Sequence, residues 1–69
     1  MPLTMVSPDE QFLIKKINGN EEVRRFLENL GFVAGASVTV VSKIGGNLIV
    51  RIMDSRIAVS REMAQKIIV

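Results

Sequence analysis

Within the fifteen residues "LENLGFVAGASVTVV", Leu27 to Val41, the apolar pattern changes its period from that of a helix to that of a strand. Upstream, Val23, Phe26, Leu27 and Leu30 fall at i, i+3, i+4 and i+7, which puts them on one stripe of a helix. Downstream of Gly35, Val38 and Val40 face one way while Ser37, Thr39 and Val41 face the other. The switch is confined to Gly31–Gly35, so helix and strand must meet at a sharp joint. Gly31 suits the left-handed conformation that ends a helix, and Leu30, Gly31, Phe32 and Gly35 are taken as the structural residues of that joint.

The rest of the chain consists of short runs. "EQFLIKKIN", with Phe12, Leu13, Ile14 and Ile17, reads as a first strand, closed by Asn18-Gly19-Asn20. Ahead of it, "MPLTMVSPDEQ" reads as an extended arm with a turn at Ser7 to Asp9. Asn18 or Asn20 can cap the helix, Glu21 and Glu22 sit at its positive end, and Glu21 can pair with Arg25. "NLIVRIM" places Leu48, Val50 and Ile52 on one face and Ile49, Arg51 and Met53 on the other. "KIGGN" supplies a hairpin loop before it, and a tight turn around Asp54-Ser55 leads to "SRIAVS", with Ile57 and Val59 on one face. Ser60 can cap a last helical turn carrying Met63 and Ala64, followed by a short strand at Ile67-Ile68-Val69.

A chain of 69 residues is one domain, residues 1–69, and it has neither cysteine nor histidine to staple a small core with disulfides or zinc. So many short strands bury their apolar faces only by curling together. The expected fold is mainly β, a small antiparallel barrel with one helix between its first two strands and a short helical turn near the C-terminus.

The same inventory bears on function. Thiol and imidazole catalysis have no parts, and the serines, lysines and carboxylates show no spacing that pairs a base with a nucleophile, so no enzyme is expected. Only carboxylates remain as metal ligands, and the adjacent Glu21 and Glu22 diverge by about 100° on a helix; no metal and no cofactor are expected. Lys15, Lys16, Arg51, Arg56 and Arg61 could form a basic band for nucleic acid, the rival reading. A net charge of +2 and the absence of Tyr and Trp speak against it. Phe26, placed on the buried stripe, and Phe12 and Phe32, beside core positions, offer no stacking platform. Protein binding remains. Ile44 at the hairpin tip, with Ile49, Arg51 and Met53, forms the candidate partner-binding surface, for which self-association is the alternative.

With these residues placed, the chain resembles the FeoA family, small cytosolic proteins encoded beside bacterial ferrous-iron transporters. "LENLGFVAGASVTVV" is similar to the family's Leu-x-x-Leu-Gly-apolar-x-x-Gly-x-x-apolar-x-apolar signature; "GGNLIVRI" and the closing "RIAVSREMAQKIIV" match in order. Ala34 stands where the family often has proline, which loosens that turn by about 0.4–1 kcal/mol, and Ser7-Pro8-Asp9 replaces a Pro-Gly turn. The resemblance implies an SH3-like barrel. It further implies a cytoplasmic role in ferrous-iron uptake, through contact with the GTPase-bearing cytosolic domain of the membrane transporter and without membrane insertion. Iron-dependent repressors carry the same barrel at their C-terminus, but with no DNA-binding segment ahead of it here a free-standing protein is expected.

Overall fold

The computed structural model describes residues 1–69. Its elements are β1 (Gln11–Leu13), β2 (Lys16–Ile17), α1 (Glu21–Asn29), β3 (Ser37–Ile44), β4 (Asn47–Ile52), β5 (Ser55–Ser60), α2 (Arg61–Ala64) and β6 (Ile67–Ile68). Four strands form an antiparallel sheet in the order β1-β3-β4-β5, and β2 pairs with β6 in a second, smaller one. The mainly β, SH3-like architecture expected from the sequence is the one observed.

The first strand is two rather than one. Gln11–Leu13 pair with β3, but the Ile14 N–H already donates to Ala36 O, at the start of the joint, and the Lys15 N–H donates to Ile68 O. The chain thus changes partner between Leu13 and Lys16, carrying one strand from one sheet into the other, as barrel closure demands. Buried Ile14 is the pivot.

The N-terminal segment also departs from an extended arm. Leu3–Met5 form a single 3-10 turn that drives Leu3 and Val6 into the core, and Pro2 bridges to Ile68. The expected turn is present, with Asp9 at φ 70° and its N–H donating to Val40 O.

α1 is capped at both ends. Asn20 Oδ1 accepts from the Val23 N–H at 2.9 Å, and Arg25 pairs with Glu21 at 2.7 Å. At the far end, the Phe32 N–H donates to Leu27 O and the Gly31 N–H to Glu28 O, both at 3.0 Å. This bond pair defines a Schellman cap, with Gly31 at φ 107° and the fully buried Leu27 and Phe32 in the positions where its apolar contact forms. Phe26 is not on the buried side: it lies 52 % exposed. Phe26 and Leu27 diverge by about 100° around the helix, and Leu27 takes the core position.

The meander β3-β4-β5 supplies the inner wall. Val38, Val40, Leu48, Val50, Ile52 and Val59 are buried together with Phe32, Leu27, Leu3 and Ile67. A bulge between Val40 and Ser42 shifts the register of β3 and bends it. Two-residue loops join the strands: Gly45-Gly46 between β3 and β4, and Met53-Asp54 between β4 and β5. Met53 therefore belongs to a turn and not to the outer face of β4, because the chain reverses one residue earlier than its alternation suggests.

Candidate functional site

The outer face of the four-stranded sheet gathers most of the residues the sequence singles out. On β4, Ile49 and Arg51 point away from the buried Leu48, Val50 and Ile52. Ile44 pairs with Asn47, which makes it a diagonal neighbour of Ile49 on the same face. Met53 follows at the other end. Ile44, Ile49, Arg51 and Met53 thus form a stripe along β4, not a compact patch: Ile44 and Met53 lie at opposite ends of the strand, about 20 Å apart. Both are 64 % exposed.

Arg51 and Met53 also line a shallow groove of about 340 Å³ with Gln11, Ser37, Thr39 and Asp54. The strand register sets its floor. Gln11 lies opposite Thr39, Thr39 opposite Arg51, and Arg51 opposite Arg56, so one row crosses all four strands. Gln11 Nε2 donates to Ser37 Oγ at 2.9 Å. Leu13, opposite Ser37, adds a second exposed apolar side chain.

The basic band anticipated for nucleic acid is divided among three places. Arg51 and Arg56 face each other on the large sheet. Arg61 shares a separate hollow of about 240 Å³ with Lys43, Thr4 and the Gly45–Leu48 segment, where Lys43 Nζ donates to Thr4 O at 3.0 Å. Lys15 and Lys16 stand on the strand that joins the small sheet. No aromatic ring accompanies any of them: Phe32 is buried, Phe12 half-buried, and Phe26 is on α1.

Phe26 marks what the sequence reading missed. With Val23, Glu22 and Met63 it borders a groove of about 280 Å³ between α1 and α2. Its i+3 position from Val23 gave no sign of exposure, since residues at the margin of a helical stripe sort inward or outward only through tertiary packing.

The two structural glycines differ in surroundings. A Cβ on Gly31 would sit 3.4 Å from Met53 Sδ, so the β4-β5 turn rests on the end of α1. Gly35, at φ 90°, has open space around it, while its N–H donates to Ile14 O at 2.8 Å. Leu30 is half-buried against the core.

No three His, Cys, Asp or Glu side chains come together in a metal-holding group. No helix is long and apolar enough to cross a membrane.

Comparison with family models gives one match. The FeoA domain profile matches residues 1–69. Among solved structures, an iron uptake regulatory protein (FeoA) superposes with TM-score 0.89 at 22 % identity, over 97 % of this chain and 91 % of its own. FeoA of Stenotrophomonas maltophilia, a prokaryotic SH3-domain protein solved with zinc, gives 0.86 at 26 % identity, over 99 % and 87 %. FeoA of Chlorobium tepidum gives 0.87 at 25 %, over 97 % and 66 %. No curated protein matches the chain.

Proposed function

The chain belongs to the FeoA family of ferrous-iron transport, and from that premise we propose that it is a non-enzymatic cytoplasmic accessory of iron uptake that binds the GTPase-bearing cytosolic domain of the membrane transporter and adjusts its assembly or nucleotide cycle. The observation that carries this reading is the family match across the whole chain. Beside it stands an inventory without imidazole, thiol or clustered carboxylates to run chemistry of its own. The S. maltophilia relative, described as a candidate activating factor of ferrous-iron transport, is consistent with an accessory role.

The outer stripe of β4 is the docking surface in this reading: Ile44 and Ile49 supply apolar area, Met53 an apolar anchor at the far turn, and Arg51 charge between them. The barrel is the rigid support.

Affinity capture from detergent-solubilised source cells tests the proposal, comparing wild type with Ile44→Asp at low and moderate salt. Recovery of the GTPase-bearing transporter by wild type, reduced in the variant, is expected. Recovery of nucleic acid alone, lost as salt rises, would replace the transporter with the rival partner.

A further inference from the structure

Two features at the β4-β5 end of the large sheet work against local stability, and they are neighbours. The first is Met53. Both residues of its turn have positive φ, 48° for Met53 and 63° for Asp54, the conformation of a type I′ hairpin that favours Asn-Gly. Aspartate tolerates it; methionine has no local hydrogen bond to offer in return. Its side chain lies over Gly31 at the end of α1 but remains 64 % exposed, so burial explains only a small part of the choice. The second is the pair Arg51 and Arg56. The two-residue loop makes Ile52 and Ser55 the hydrogen-bonded closing pair, so the alternation of the ladder places Arg51 and Arg56 in the next, non-hydrogen-bonded pair, where opposed side chains are closest. Like charges directly opposite each other disfavour the sheet. Neither guanidinium is paired with a carboxylate, since the ion pair of this molecule is Glu21 with Arg25 on α1.

Local rules broken for so little packing gain point to binding. Resting on the transporter reading above, we infer that the face around the β4-β5 turn receives an acidic segment of the partner protein, whose carboxylates lie across Arg51 and Arg56 while its apolar side chains meet Met53, Leu13 and Ile49. Charge complementarity selects the occupant. Two adjacent, unpaired guanidiniums offer parallel donors to carboxylates, and Thr39 and Gln11 continue the polar row to the edge of the groove. Aliphatic flanks in place of aromatic ones suit a protein segment better than stacked bases. A second copy of this face would set arginine against arginine.

The test uses the purified cytosolic GTP-binding domain of the transporter as the probe and the full chain in three variants. Met53→Asn relieves the turn and Arg56→Thr removes the opposed charge, so both should keep or raise Tm, by about 4 °C for Met53→Asn. Each should nonetheless weaken binding by about tenfold. Arg56→Thr should also flatten the fall of affinity with salt. Phe26→Asp, in the groove between the helices, should bind as wild type does.

Wild-type binding that survives both outer-face substitutions, or that is lost only in Phe26→Asp, overturns this inference and leaves the transporter reading standing. A Tm lowered by Met53→Asn overturns the reading of Met53 as a residue kept for its partner. Absence of wild-type binding, or tighter binding to single-stranded oligothymidylate, overturns the transporter reading and this inference with it.

Discussion

β4 is bounded by two hairpin turns of equal length and opposite chemistry. At one end Gly45-Gly46 reverses the chain with a positive φ only at its first residue, 58°, where glycine carries no Cβ to strain. At the other, Met53-Asp54 performs the reversal with positive φ at both residues and no glycine. The first turn follows the rules of hairpin sequence and leaves Ile44 beside it in solvent. The second breaks them, rests on the cap of α1, and stands next to an opposed pair of arginines. The two ends of one strand thus meet the same geometric demand with different chemistry, and only the Met53 end departs from hairpin rules.

The strongest way to break this comparison is through the residue under the second turn. Gly31→Val forces a β-branched residue to φ 107°, beyond the left-handed region that L-residues tolerate, and pushes a side chain toward Met53. A loss of about 2 kcal/mol is expected, which for a chain of this size lowers Tm by about 8–16 °C. Thermal denaturation followed by circular dichroism measures it. Wild-type stability would mean that the glycine cap does not hold α1 against the turn.

A smaller effect sharpens the same contrast. Gly45→Ala places a Cβ in open space at φ 58°, so its cost is conformational alone, about 1 kcal/mol. Met53→Gly at the opposite turn should move stability the other way, by about 0.5 kcal/mol, since relief of the left-handed strain is partly offset by the flexibility glycine adds to the unfolded chain. Chemical denaturation of the two variants side by side reads the difference. If both change stability in the same direction, the turns are not opposites and the strain assigned to Met53 is absent.

Much of the fold was legible because its signals are local. Asn20 and Gly31 bracket α1, Ser60 caps α2 through the Met63 N–H, and strict alternation identifies the buried faces of β3 and β4. Other parts were hidden for physical reasons. Leu3 and Val6 sit among turn-forming residues, so nothing periodic announces that they complete the core. Alternation runs through Met53 without a break, and its turn carries none of the usual glycine or asparagine. The row of Gln11, Thr39, Arg51 and Arg56 exists only through register, which depends on loop length and on the bulge at Val40 to Ser42. The candidate surface was therefore half visible: its residues could be named and three of them set on one strand face, but the turn at Met53 and the arginine opposite Arg51 could not be placed.

The weakest expected effect on stability belongs to Ile44, and it decides what the first turn contributes. Ile44 is 64 % exposed, pairs with Asn47 beside the glycine loop, and has Ile49 as its apolar neighbour on the outer face. Ile44→Asp removes little buried area, and aspartate beside Gly45-Gly46 is compatible with a hairpin end, so stability should change by less than about 0.5 kcal/mol. Lys43 on the inner side is occupied with Thr4 O and gives the new carboxylate no ready partner. If partner binding falls while Tm holds, the docking stripe extends the full length of β4 and both ends serve recognition, one through an unstrained turn and one through a strained one. If binding is unchanged as well, recognition is confined to the Met53 end, and the glycine turn has only the task of reversing the chain.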